Sequence, residues 1–246
     1  MDEALANRTF AELGIPFPLF AGRVHGTEYV GHRSCSICSA QAHCFQLGIG
    51  RPVIATCPKC GTQIALDSAG RKDGVCRSCK ASVPFPIAPE RRDLCACYVC
   101  VRAGRVAFTK DTELGMIAWE NTLTGLTNGV PGLDHPGFEI VPTGEDDWFA
   151  ARLPVEWMFE LLRTPEYGTW QGECWLFCCQ RPMVFVGEWS QDDYTRRAPD
   201  GDGQAFFVDV IEDAEPEMWD GIGRSFGNYV FHCPECDRYR GHYDMD

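Results

Sequence analysis

The chain has no apolar run that approaches the roughly 20 residues a membrane helix requires, so no bilayer span is expected. Its opening, Met1-Asp2-Glu3-Ala4, carries acids where a secretory signal carries bases, and no apolar stretch of the signal type follows. The expected compartment is therefore the cytoplasm. Several catalytic signatures are missing as well: HExxH, a glycine-rich phosphate loop, GxSxG and the His-x-Glu tripeptide of zinc deaminases. No catalytic residue can be nominated. Asp134-His135, the Glu145-Asp146-Asp147 cluster and His242 supply acids and bases but form no catalytic spacing, and the cluster reads as a solvated turn.

Basic residues are scarce in the second half. Residues 101–246 hold eleven Lys/Arg against twenty-seven Asp/Glu, whereas residues 1–100 hold eleven against eight. The total of −13 is therefore an excess of acid in the C-terminal half. Such a surface opposes nucleic acid and favours a basic protein partner. A weaker nucleic-acid reading attaches to the first half, where Arg71, Lys72, Arg77 and Lys80 could track phosphate. That segment has no aromatic residue on which a base could stack.

Cysteine, by contrast, is abundant. Ten of fifteen fall into five Cys-x-x-Cys pairs, a spacing that suits a tetrahedral metal knuckle better than a disulfide framework in a reducing compartment. Cys57, Cys60, Cys76 and Cys79 have the x2–x15–x2 spacing of a zinc ribbon, and Gly61 lets the first knuckle turn sharply. Four thiolates leave no open position for water, so this metal is expected to be structural. Cys35 and Cys38 before the ribbon, with Cys97 and Cys100 after it, form an outer site in which the ribbon is nested. His32, His43 and Cys95 compete as ligands there, and Cys44 and Cys95 read as small buried hydrophobes. A third site begins with Cys233 and Cys236. Its further ligands come from Cys174, Cys178, Cys179, His232 and His242. Cys178 and Cys179, if extended, would face opposite ways. A redox dithiol or an open, hydrolase-like zinc at this third site are the competing readings. The cofactor expected is Zn2+, about three ions.

The apolar and aromatic content suits a folded globular protein. The fold class expected is α+β: zinc-stabilised, with small antiparallel sheets, few helices and the ribbon nested in the N-terminal part. Residues 1–110 would form a cysteine-rich module with the ribbon at about 52–87. Residues 111–246 would form an acidic α+β domain closed by a zinc knuckle. Locally, a short helix is expected within residues 1–14, ending at Gly14, and an extended lead-in docks Ile15, Phe17 and Leu19. A helix is expected from Asp93 to Gly104, and short strands around Met116–Trp119 and Phe138–Val141. A further helix should run from Pro154 to Arg163, with Val155, Met158, Phe159 and Leu162 on its buried face. Strands follow at Trp175–Cys179 and Met183–Val186 about a turn at Gln180-Arg181-Pro182, then at Ala205–Ile211, Asn228–His232 and Arg238–Asp244. Residues 191–203 read as an exposed loop.

The order of these motifs resembles the CbrC family, bacterial proteins described as colicin-tolerance proteins. The matching pieces are Gly14-Ile15-Pro16-Phe17, the Cys35/Cys38 pair, Cys97-Tyr98-Val99-Cys100, Arg163-Thr164-Pro165 with Trp170-Gln171, Trp175-Leu176 with Cys179, and Phe231-His232-Cys233 with Cys236. The resemblance implies a bacterial zinc-bearing accessory protein tied to toxin tolerance, acting through protein–protein interaction, with no assigned chemistry. Two departures stand out. The ribbon looks like an insertion, and Met183 stands where the family pattern has a second cysteine after Cys179, which raises Cys178 as its substitute.

Overall fold

The fold was analysed in a computed structural model, which describes residues 3–47, 53–57, 59–66, 73–76, 78–84, 94–108, 124–127, 139–142 and 149–245. The expected strands at 116–119, the Asp134-His135 pair and the 145–147 cluster lie outside them. The architecture is α+β, with small antiparallel sheets and short helices among the described residues.

The N-terminal helix is shorter than expected. α1 (Glu3–Ala6) stops early, because Thr9 and Glu12 cap a separate turn: the Thr9 amide donates to the Glu12 carboxylate at 2.7 Å, and the Glu12 amide donates to the Thr9 hydroxyl at 3.3 Å. The chain then reverses at Gly14, φ +74°. Ile15, Phe17 and Leu19 are buried as anticipated, and Phe20 joins them.

β1 (Tyr29–Ser34) and β2 (Gln41–Gln46) form a hairpin, which a strand at Cys95–Cys97 joins from beyond the ribbon. Between them, β3 (Val53–Thr56) pairs with β4 (Gln63–Leu66), and β5 (Asp73–Val75) pairs with β6 (Ser82–Pro84). The stretch expected to be helical from Asp93 begins instead as strand β7 (Cys95–Cys97). It becomes α2 only at Tyr98–Arg102, because pairing of Cys97 with Cys44 and Ala96 with Phe45 holds it extended. β8 (Glu139–Pro142) and β9 (Phe149–Arg152) make another hairpin, and α3 (Val155–Leu162) follows Pro154, burying Met158, Phe159, Leu161 and Leu162.

The C-terminal portion departs from expectation in three places. The first turn begins one residue earlier: β10 (Phe177–Cys178) and β11 (Arg181–Pro182) flank Cys179-Gln180, both with positive φ, as a two-residue hairpin turn requires. β12 (Val184–Glu188) then runs into a helix, α4 (Gln191–Arg197), in place of a loop. Ser190 and Asp193 form a reciprocal capping box that starts it. The third difference is α5 (Gly203–Val210), helical where a strand was expected. Asp202 accepts from the Ala205 amide at 3.0 Å, and the helical turn brings Phe207 and Val210 onto one buried face. A 3-10 turn at Pro216–Gly221 leads to β13 (Phe226–His232) and β14 (Tyr239–Met245), as expected.

β13 is central in the sheet β12–β13–β14 and buried on both faces. Tyr229 and Phe231 point to a large core that also contains Phe10, Phe17, Phe45, Phe108, Met158 and Trp175. Phe226 and Val230 point the other way, toward Trp189, Tyr194 and Phe207. Asn228 serves this second face as a buried linker, accepting from the Tyr194 hydroxyl at 2.6 Å and donating to the Trp189 carbonyl at 2.8 Å. The larger core draws on residues from both sides of position 110, and two of its edges carry clustered cysteines.

Candidate metal centres

Four Cys-x-x-Cys loops fold into the same knuckle. In each, the residue after the second cysteine lies in the left-handed region: Ser39, Gly61, Lys80 and Asp237, with φ between 59° and 72°. Its amide donates to the carbonyl of the first cysteine at 2.8–2.9 Å, and the amide of that cysteine donates one residue further on at 2.8 Å. Both cysteine side chains are thereby swung to the same side of the turn. Only Gly61 is free of the cost of a positive φ; the other three are non-glycine residues held there by their surroundings.

The knuckles come together in three groups. Cys35, Cys38, Cys97 and Cys100 form the first, Cys57, Cys60, Cys76 and Cys79 the second, and Cys178, Cys179, Cys233 and Cys236 the third. Within each group the four sulfurs lie within 4.8 Å of one another. A tetrahedron built on zinc–sulfur bonds of about 2.3 Å has sulfurs about 3.8 Å apart. The sulfur separations are 3.9 Å for Cys35–Cys100, 3.7 Å for Cys38–Cys97, 3.5 Å for Cys57–Cys79, Cys60–Cys76 and Cys178–Cys236, and 3.8 Å for Cys178–Cys179. The donor set and its size therefore fit a tetrahedral, thiophilic cation in all three places.

The groups are assembled by different devices. In the second, two hairpin tips face each other, one between β3 and β4 and the other between β5 and β6. In the first, the tip of the β1–β2 hairpin meets the junction where β7 turns into α2, and Cys97 and Cys100 sit either side of that switch. The Cys97 amide donates to Cys35 Sγ at 3.2 Å and the Ile37 amide at 3.4 Å, which aims amide dipoles at a developing thiolate. In the third, the β13–β14 tip meets the Cys179-Gln180 turn. Cys178 and Cys179 do point together, because Cys179 is itself a turn residue with φ 51° and not part of the strand.

Within each group the neighbouring thiols are pushed in opposite directions. Burial pushes the Cys35 thiol up, but amides from Cys97, Cys38 and Ile37 outweigh it and bring the group to about 7. The Thr62 hydroxyl and amide, with the hydroxyl 3.2 Å from Cys60 Sγ, hold Cys60 at about 6. Their neighbours move the other way. Burial and adjacent thiols raise Cys100 and Cys178, and desolvation with the surrounding thiols raises Cys79 to about 12 despite the favourable Ala81 amide. Four sulfurs this close cannot all carry charge until a divalent ion offsets their repulsion.

The competing ligands stand apart. The rings of His32 and His43 pack on each other at 4.5 Å, and the Tyr29 hydroxyl meets His43 Nδ1 at 2.5 Å. Cys44 and Cys95 are buried beside the first group, their thiols donating to the carbonyls of Arg33 and Ser34. Burial raises Cys44 to about 12. Cys174 lies in the large core, where burial raises it to about 12. His232 bonds Asp237 at 2.7 Å, and His242 bonds the Tyr167 hydroxyl at 2.9 Å. Burial lowers His242 to about 4, so it is a neutral core residue. No helix among the described residues is long and apolar enough to cross a membrane.

A feature not read from sequence is a cleft of about 610 Å3 on the β12 side of the large core. Its lining includes Arg23, His25, Tyr167, Trp170, Glu188 and Tyr229. These residues come from four separated segments, which is why no local spacing announced them.

A family model described as "Uncharacterised protein family (UPF0167)" matches residues 64–245, most of the chain. UPF0167 protein PA1536 of Pseudomonas aeruginosa is 32% identical over 91 residues, which cover 34% of this chain and 48% of that protein. The chain thus spans about half the length of the curated relative it matches. No solved structure matches. By the extent of the family match, the chain belongs to the UPF0167 family.

Proposed function

We propose that this member of the UPF0167 family is a zinc protein whose three metals are structural, and that it acts as an accessory protein by binding a basic protein partner. The observation that carries the metal half is the set of three four-cysteine groups with sulfur separations of 3.5–3.9 Å. Cys35, Cys38, Cys97 and Cys100 would hold one ion, Cys57, Cys60, Cys76 and Cys79 a second, and Cys178, Cys179, Cys233 and Cys236 the third. Four thiolates complete a tetrahedron, so each ion would staple loops together and leave no place for a reacting water.

The partner half rests on charge. A net of −13, concentrated after residue 100, would steer a basic protein toward this one and would repel a polyanion. Neutralising or tolerating a bacterial toxin, as the resemblance to CbrC proteins suggests, would suit such a surface. A cytoplasmic setting would keep the thiols reduced for metal.

Metal content measured on the native protein and on Cys57→Ser, Cys97→Ser and Cys233→Ser tests the first half. Three zinc ions are expected, falling by one in each variant; a total of one would end this reading. Capture from host extract tests the second half. A basic protein should be retained at low salt and released at high salt, and recovery of none would remove the partner.

A further inference from the structure

The face of the β1–β2 hairpin turned away from the first cysteine group carries two imidazoles and a phenol. His32 and His43 are direct partners across the hairpin, and Tyr29 is the partner of Phe45. Opposed residues share a face and neighbours alternate, so the pairs Gly31–Cys44 and Arg33–Ala42 lie on the other side. Cys44 packs there among Cys35, Cys95, Cys97 and Cys100. In a regular strand Tyr29 and His32 would lie on opposite faces. The register shifts between Tyr29 and Gly31, however, and Gly31 has φ +83°, a conformation that favours glycine. This bulge takes up Val30 as an extra residue and re-aims Tyr29 onto the face of the two histidines.

The three side chains meet there. The Tyr29 hydroxyl, on a residue only 5% exposed, bonds His43 Nδ1 at 2.5 Å. That bond orients the His43 ring and leaves Nε2 as its uncommitted nitrogen among the described residues. The His32 ring packs on His43 with centroids 4.5 Å apart and the planes at 71°, and it makes no hydrogen bond among the described residues. His32 is exposed and His43 half-buried, so solvent reaches the pair.

Two rings this close do not suit two protons. Burial, His32 and Arg8 all hold His43 below its ordinary value, which keeps it the neutral imidazole that a metal requires. An anion would need a charged ring, and the same three influences act against that at His43. Arg8 also acts on a bound cation. Its guanidinium, however, donates to the Glu12 carbonyl and lies near the Glu12 carboxylate, whose pKa it lowers. Solvent screens what remains of its charge at an exposed site. Imidazole nitrogens suit Ni2+, Cu2+ and Zn2+. Two of them, with water completing the shell, make an open site, unlike a closed set of four thiolates.

We propose that His32 and His43 form a bidentate, exchangeable site for a divalent transition-metal ion, with Tyr29 as the positioning residue behind His43. The site is separate from the three cysteine groups and does not depend on them. It should empty on dialysis, which leaves the expected count of three zinc ions unchanged.

The test uses the full chain, untagged and zinc-replete, with Ni2+ as the probe. Uptake is followed by isothermal titration, zinc content before and after, and the histidine ring signals in two-dimensional NMR. One Ni2+ per chain is expected, with paramagnetic broadening of the His32 and His43 rings and no zinc released. His32→Asn, at an exposed position, should remove this uptake, and His43→Asn should do the same. Tyr29→Phe takes away only the hydroxyl and should weaken binding about tenfold. Before nickel is added it should also shift the His43 ring nitrogens, a change of tautomer that a purely structural role would not produce. No uptake, uptake undiminished in His32→Asn, or nickel taken up only as zinc leaves would each overturn the site. Unaltered affinity in Tyr29→Phe would remove Tyr29 from it.

Discussion

The ribbon and the body it is inserted in are both stitched by cysteine groups of the same size, yet they rest on different foundations. Of the ribbon's described side chains, only Cys57 and Cys76 are buried. Two hairpins there face each other across four sulfurs. The first and third groups, by contrast, sit at the edges of a core containing Phe45, Trp175 and Phe231, with Cys233 a member of that core and Val101, the residue after Cys100, another. The same chemistry therefore does two jobs. In the ribbon the metal would be the fold itself, whereas in the body it would fasten elements that apolar burial already gathers.

Metal removal should separate the two most sharply. Structural zinc is worth about 10–16 kcal/mol in isolated small modules. Cys57→Ser is therefore expected to abolish amide exchange protection across the ribbon hairpins while the body keeps its cooperative melting. If the body unfolded with the ribbon, the contrast would fail. The converse probe is Trp175→Ala. Its ring is fully buried and its indole donates to the Met183 carbonyl at 2.8 Å, so about 3–5 kcal/mol should be lost from the body by chemical denaturation. Ribbon protection in the metal-loaded protein at low denaturant should be unchanged.

A smaller effect concerns pH. His242 is buried and held near 4, below the ordinary 6.5. Below 6.5 the unfolded chain takes up a proton that the folded one refuses, so stability is present above 6.5 and is lost as pH falls toward 4. The loss from this group is about 3 kcal/mol over that window. Thiol protonation acts in the same direction on both proteins compared, so a shallower acid slope in His242→Gln, read by denaturant melts, isolates the histidine. An identical slope would refute it. Smallest is the cap of α4: Ser190→Ala should cost about 1 kcal/mol, measured the same way, and should leave metal content alone.

How far the sequence reached differs along the same division. Most of the cysteine ligands were legible because an x2 spacing suits a shared metal, and four of the five pairs fold into one hydrogen-bonded knuckle, while Cys97 and Cys100 span the junction of β7 and α2 instead. α3 was legible from the three-to-four spacing of its apolar residues. The region of α4 and α5 was not. Phe206, Phe207, Val208, Val210 and Ile211 have strand-like preferences, and tertiary packing of Phe207 and Val210 onto β13 overrides them. The Ser190–Asp193 capping box was a signal that pointed the right way and went unread. The Cys179-Gln180 turn carried no glycine or asparagine to mark it, so two adjacent cysteines looked opposed when the backbone in fact swings them together. The cleft escaped because its residues meet only after the sheet has formed.

The claim that all three metals are closed, structural centres meets its most direct test in zinc X-ray absorption on the native protein. Averaged over the sites, the account predicts four sulfur scatterers per zinc at about 2.3 Å and no light-atom shell. An average nearer three sulfurs, with an oxygen or nitrogen at about 2.0–2.2 Å, would show an open or mixed site and contradict it.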